Sequence, residues 1–180
     1  MYINIITPCS RPFNLNIISK SINIPNDNYR WIVVFDSKSL PNKELIPNNC
    51  EYYLYSDINS TSGNSQRNFA IDLVKKGYIY FNDDDTIIHS KLWENISSLD
   101  DDFISFNQLN IDGSLRLEGN CIKVCHIDSH NFIVKHNIID DIRFEIDKYY
   151  ADGIFAEKCF EKSITRKYIN KPLSVYNYLR

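Results

Sequence analysis

The sequence predicts an α/β fold in which a mixed, mostly parallel central sheet is flanked by helices, built as one domain over residues 1–180. Three observations predict it. Strand-like and helix-like runs alternate through the first half, an order that makes parallel βαβ units. Trp31–Phe35 is apolar without a break, as a strand covered on both faces would be. The strand-like runs end in polar residues: Thr7-Pro8-Cys9-Ser10-Arg11, Asp36-Ser37 and Asp83-Asp84-Asp85. Those carboxyl ends are where open α/β sheets bind ligands.

Taken in order, Tyr2–Thr7 is β-rich and is expected to end at Pro8. Phe13–Ile22 places Phe13, Ile17, Ile18 and Ile22 at helical spacing. Trp31–Phe35 is the second strand and Tyr52–Tyr55 a weaker third. The polar loop Ser60–Ser65 leads into a helix over Gln66–Lys76, with Phe69, Leu73 and Val74 on one face and Gly77 where a C′ residue would stand. Tyr78–Phe81 is a strand running straight into Asn82-Asp83-Asp84-Asp85. Lys91–Leu99 reads as helix, Phe103–Phe106 as strand, and the polar stretch 107–120 as a hairpin or loop. Phe132–Val134 reads as strand, Asp152–Ser163 as a helix turning Ile154, Phe155, Cys159 and Phe160 inward, and Leu173–Tyr178 as a closing strand.

Composition excludes several classes. Of the 180 residues, 43% are hydrophobic and 24% charged, ordinary for a globular protein with a real core. The net charge of −3 gives no general attraction to nucleic acid, so none is expected as a partner. No run approaches the roughly 20 apolar residues of a membrane span, and Met1–Thr7 lacks the form of a signal peptide. A cytoplasmic location is the expectation. The five cysteines are scattered, and Cys121-x-x-x-Cys125 is neither a zinc nor a redox spacing, so reduced thiols are expected.

The chemistry concentrates at Tyr80-Phe81-Asn82-Asp83-Asp84-Asp85, where an apolar strand delivers three adjacent carboxylates. Like charges that close raise the pKa of at least one, and a hard cation relieves the repulsion. Mn²⁺ or Mg²⁺ accepts carboxylate oxygens and leaves positions for diphosphate oxygens and water. Asp100-Asp101-Asp102 is an internal control: it precedes a strand instead of following one, so it is expected to be a connecting loop at the opposite edge. Histidines 89, 126, 130 and 136 show no ligand spacing that favours metal binding over plain structural roles.

Asn64-Ser65-Gln66-Arg67-Asn68-Phe69-Ala70, followed by Gly77-Tyr78-Ile79-Tyr80-Phe81-Asn82-Asp83-Asp84-Asp85, resembles the GT-A glycosyltransferases. The β-1,3-glucuronyltransferase family is the nearest, through its Gln-Arg-Asn helix start and Asp triplet. Ile5-Ile6-Thr7-Pro8 with Arg11-Pro12, and Val33-Val34-Phe35-Asp36, are similar to that family's first two strands. The resemblance covers about the first 95 residues. In the second half, Asp128-Ser129, Tyr150-Ala151-Asp152-Gly153 and Leu173-Ser174-Val175-Tyr176-Asn177 look more like inverting GT-A transferases in general.

The resemblance implies a GT-A (Rossmann-like) fold, with a nucleotide-sugar half over about residues 1–100 and an acceptor half over about 101–180. It implies transfer of a sugar from a nucleoside diphosphate-sugar, UDP-linked by expectation, to a glycan or other hydroxyl acceptor. Thr7 and Pro8 would line the base pocket, with Arg11 near the base or phosphates, and Asp36 would accept a hydrogen bond from the base. Arg67 would pair with an acid or phosphate, Asp84 would meet the ribose or donor sugar, and Asp85, with Asp83 beside it, would ligate Mn²⁺ or Mg²⁺. Asp152 would be the base that deprotonates the acceptor. Ser62 stands where that family has a basic residue, and its C-terminal diphosphate-contacting His has no counterpart. Two other readings compete: a non-catalytic nucleotide-binding domain of this fold, and a nucleotidyltransferase. The second is disfavoured because Pro8-Cys9-Ser10-Arg11 lacks the glycines of a phosphate loop.

Overall fold

The computed structural model describes all 180 residues, Met1–Arg180. Nine strands form one sheet: β1 (Ile3–Cys9), β2 (Tyr29–Phe35), β3 (Glu51–Leu54), β4 (Tyr78–Phe81), β5 (Ile87–Ile88), β6 (Phe103–Leu109), β7 (Leu115–Leu117), β8 (Phe132–Lys135) and β9 (Arg166–Val175). The order is β3-β2-β1-β4-β8-β6-β9-β5, with β7 beside β6. Pairs among β3, β2, β1 and β4 are parallel, as are β6 and β9. β8 runs antiparallel between β4 and β6. The helices are α1 (Leu15–Ser21), α2 (Asn64–Leu73), α3 (Leu92–Ile96), α4 (His136–Ile139) and α5 (Ala151–Lys162). The expected mixed α/β sheet with flanking helices is present.

Each face of the sheet carries its own core. Ile6, Ile32, Val34, Ile79 and Phe81 face α2 and α5, which contribute Ala70, Ile71, Phe155, Ala156 and Cys159. Ile3, Ile5, Trp31, Val33 and Tyr80 face α1 and α3, which contribute Leu15, Ile18, Leu92 and Ile96. Alternate residues of one strand thus feed opposite cores, which is why β1 is buried along its whole length.

Several boundaries differ from the sequence expectation. Pro8 lies inside β1, opposite Val34. The last β1–β4 pair is Ile6–Phe81, and the Ile6 carbonyl accepts from Asn82 on that side. Two residues on, Pro8 faces the same side past the last rung, where no N–H is needed. The first helix is shorter than predicted: Pro12–Asn14 form a 3₁₀ turn and α1 starts at Leu15. Phe13 and Ile17 are exposed, whereas Leu15 and Ile18 are buried. In this rotation Leu15 and Ile18 enter the core, and the Asn14 side chain points inward and donates to the Asp84 carbonyl at 2.9 Å. α2 ends at Leu73 with Val74 already extended, so Gly77 (φ +88°) is a turn residue ahead of β4 and not the cap of α2.

The second half follows its predicted elements with shifted ends. β6 continues to Leu109 and pairs with β7, so the 107–120 stretch is a hairpin. α5 begins one residue before Asp152, and β9 runs Arg166–Val175. Asp100–Asp102 join α3 to β6 at the edge where β4 begins: Tyr78 Oη donates to Asp100, and Asp102 accepts the Ile164 and Thr165 amides. All five cysteines are unpaired. No helix is long and apolar enough to cross a membrane.

Candidate active site

The carboxyl ends of β1, β2 and β4 bring Arg11, Asp36 and Asp83–Asp85 to one edge of the sheet. Two cavities open there, of about 380 and 280 Å³. The smaller is lined by Pro8, Arg11, Asp36, Gln66 and all three aspartates. The larger is lined by Arg67, Asp128, His130, Asp152 and three tyrosines, Tyr149, Tyr150 and Tyr176. Asp83, Asp85, Ser62 and Arg180 line both, so two of the three aspartates stand in the wall the cavities share. Of the residues singled out from sequence, Thr7 lines neither. It is fully buried, and its hydroxyl accepts from the Trp31 indole at 2.9 Å, fastening β1 to β2.

Each aspartate of the triplet has its own protein cation. Asp83 Oδ1 pairs with Arg67, whose guanidinium is buried and also donates to the Ser62 carbonyl. Asp84 accepts the backbone N–H groups of Ser10 (2.6 Å) and Arg11 (2.7 Å) and the Arg11 guanidinium (2.6 Å). With both oxygens engaged, Asp84 clamps the loop after β1 to the end of β4. Asp85 Oδ2 takes Arg180 Nε at 2.7 Å and Arg11 Nη1 at 3.2 Å.

Sequence reasoning missed His130. It lies in the 3₁₀ turn Ser129–Asn131 just before β8, capped by Asp128, which accepts the His130 amide while Asn131 accepts the Asp128 amide. Because β8 is antiparallel to β4, its leading turn falls at the acidic end of β4. The imidazole, 2% exposed, bridges two carboxylates: Nδ1 is 2.6 Å from Asp128 and Nε2 is 3.1 Å from Asp83. Both contacts lie off the hydrogen-bond axes, so they are ion pairs more than aligned hydrogen bonds. Asp128 also pairs with Arg116 at 2.8 Å, and Arg116 stacks 3.6 Å over the Tyr176 ring. Burial alone would raise the Asp83 carboxyl, but Arg67 and His130 outweigh it and hold it down to about 2. Burial would likewise neutralise His130, but its two carboxylates keep it charged well above its ordinary value. The signal that could have found it was the Asp128-x-x-Asn131 cap before a strand, which places a polar turn at a sheet edge.

Asp152 sits in the first turn of α5, two residues past the Tyr150 cap position, so it is not the N-cap. Its carboxylate accepts only the Gly153 N–H, at 2.8 Å. Burial, and then the charge of Asp128, push the carboxyl up to about 6. A half-buried carboxylate without a cation partner, poised near neutral pH, is what a general base needs.

Gly63, which lines the smaller cavity, packs closely against Pro8. It has φ +76°, and a Cβ there would fall 2.7 Å from Pro8 Cβ. Gly63→Ala is expected to cost about 1–3 kcal/mol through strain and overpacking against Pro8, read as a lower Tm.

The donor chemistry of the shared wall suits a hard divalent cation. Asp85 and Asp83 offer carboxylate oxygens, and Asn177, whose amide oxygen is buried and without a partner, is among the residues of the larger cavity. No three His, Cys, Asp or Glu side chains converge on one point, but Mg²⁺ and Mn²⁺ in diphosphate sites are held by one or two carboxylates plus substrate oxygens.

No protein-family model matches the chain, and no curated protein matches it. Solved structures do. The S. aureus TarS 1–349 structure superposes with a TM-score of 0.79 at 14% identity, over 97% of this chain and 60% of that one. The same TarS fragment in complex with UDP-GlcNAc matches equally, over 58% of its length. The mannosyltransferase PcManGT from Pyrobaculum calidifontis, in complex with GDP-Man and Mn²⁺, matches with a TM-score of 0.70 at 12% identity, over 97% of this chain and 56% of that one. The chain thus spans under two thirds of the solved chains it matches. Identities this low carry the architecture, and by that architecture the chain has the GT-A fold.

Proposed function

We propose that the chain is a glycosyltransferase that moves a sugar from a nucleoside diphosphate-sugar to an acceptor hydroxyl, with inversion. The observation that carries this reading is the pair of cavities meeting at Asp83 and Asp85, with Asp152 lining the larger one alone. The smaller cavity takes the nucleotide. Pro8 and Asp36 stand at its base end, Arg11 faces the phosphates, and Asp84 holds the Arg11 loop in place. Thr7 contributes from behind, by fixing β1 against Trp31. The sugar reaches into the larger cavity, where Asp152 takes the proton of the attacking hydroxyl. Tyr149 and Tyr150 border the same cavity, where aromatic rings can pack on a carbohydrate.

Arg67 and His130 hold Asp83 ionised and oriented. A Mn²⁺ or Mg²⁺ at Asp85 and Asp83 would neutralise charge on the diphosphate leaving group. The UDP-GlcNAc and UDP complexes of TarS and the GDP-Man and Mn²⁺ complex of PcManGT support a nucleotide-sugar donor and a divalent metal here. The narrower likeness to glucuronyltransferases rests on sequence motifs alone: Gln66-Arg67-Asn68, Asp83–Asp85, and the first two strands with the residues that end them.

The test is a thermal-shift panel of UDP- and GDP-sugars with and without Mn²⁺, followed by a turnover assay. A matched donor at a hundredfold excess over its Kd should raise Tm by roughly 5–10 °C, and Asp85→Ala should abolish the Mn²⁺-dependent part. If no sugar nucleotide shifts Tm and Asp85→Ala behaves as wild type, the reading is wrong. Binding without turnover, with any acceptor, would mark a nucleotide-binding domain instead.

A further inference from the structure

The chain after β9 folds back over the acidic triplet. The Tyr176 N–H donates to the Leu109 carbonyl, Asn177 takes φ +51°, and the Leu179 N–H donates to the Asp85 carbonyl at 2.9 Å. Asn14 Nδ2 reaches both the Asp84 and the Leu179 carbonyls, at 2.9 and 3.4 Å. This strap delivers Arg180 to Asp85, where its Nε lies 2.7 Å from Oδ2.

The two cations on Asp85 are not equivalent. Arg11 is seated on Asp84 at 2.6 Å and only grazes Asp85 at 3.2 Å, so it keeps a partner if Asp85 is taken. Arg180 has no other carboxylate, and its side chain is 55% exposed against 5% for Asp85. The strap is anchored by backbone bonds at Leu179, so the guanidinium can swing away while its tether stays. It borders both cavities, within the space that a donor diphosphate would enter.

We infer that Arg180 is a built-in counter-cation for Asp85, occupying the carboxylate that a divalent metal would use and yielding it when a nucleoside diphosphate arrives. The inference rests on the proposed donor site. Without diphosphate, a metal must displace Arg180 and leave it unpaired. With diphosphate present, Arg180 exchanges one anion for another, and the metal meets a free carboxylate. Metal and nucleotide therefore bind with positive coupling, and the coupling is reciprocal.

The test is a Mn²⁺ titration read by the electron paramagnetic resonance signal of free Mn²⁺, for wild type, Arg180→Gln and Arg180→Lys, with and without UDP. Wild type is expected to bind Mn²⁺ weakly alone and more tightly with UDP. Arg180→Gln should bind Mn²⁺ alone roughly three- to tenfold more tightly than wild type, the range a partly exposed charge-assisted pair supplies. Its enhancement by UDP should shrink correspondingly, and Arg180→Lys should fall between. Equal or weaker Mn²⁺ binding by Arg180→Gln, while UDP and Mn²⁺ still bind wild type, overturns the inference and leaves the proposed function standing. Failure of wild type to bind UDP at all overturns both.

Discussion

Asp152→Asn is expected to lower kcat by about 10²–10⁴-fold, the share that general-base catalysis contributes, while Kd for the nucleotide stays within about twofold of wild type. The asparagine keeps the shape and can still accept the Gly153 N–H that Asp152 accepts at 2.8 Å, so α5 keeps its first turn. It cannot take a proton. Asp152 lines the larger cavity and not the smaller one, which is why binding should survive. The sign of the pH dependence follows from burial and Asp128, which raise the carboxyl to about 6. Below that pH the carboxyl is protonated and cannot accept from the substrate; above it the base is available. Wild-type kcat/KM should climb through an acid limb centred near pH 6, and the residual activity of Asp152→Asn should lack that limb. A full-rate Asp152→Asn variant would remove Asp152 from the mechanism.

The second large effect is structural. His130→Ala deletes the one cation between Asp128 and Asp83 and leaves two carboxylates facing a void, with Arg116 and Arg67 as their remaining partners. Removing one member of a buried ionic cluster costs about 3–5 kcal/mol; taking the low end because Asp83 is partly exposed gives about 3 kcal/mol. At this chain length that is a fall in Tm of roughly 6–12 °C, measurable by calorimetry near neutral pH. His130→Gln, which can still donate one hydrogen bond, should recover part of the loss. An unchanged Tm in His130→Ala would mean that the imidazole bears no weight in the fold.

The parallel half of the molecule was readable from the chain because its cues are local. An unbroken apolar run such as Trp31–Phe35 marks a strand covered on both faces, and the acids that follow β2 and β4 must then fall at the same edge. Arg11, Asp36 and Asp83–Asp85 therefore converge by strand order alone. Such reasoning failed where placement depends on partners distant in sequence. Phe13 and Ile17 fit a helical stripe, yet Leu15 and Ile18 enter the core and Asn14 reaches Asp84, which leaves them outward. His130 was passed over because its role comes from β8 running against β4, and strand direction is not written in a four-residue strand. Arg180 was invisible for the same reason: only the folded-back strap brings it to Asp85 across 95 positions. The neutralisation of every aspartate in the triplet by arginine or histidine is likewise a tertiary fact, since Arg67 precedes Asp83 by 16 positions and the others lie farther away.

The strap has a practical consequence for handling the protein. A probe carried next to Arg180 would stand beside both cavities and drag on the residue that sits against Asp85. Met1 precedes β1 at the end away from the triplet, where the Tyr2 carbonyl accepts the Tyr78 amide at the start of β4. A handle on that side of the sheet would stand clear of Asp85. A probe beside Arg180 would instead report when the cavities fill.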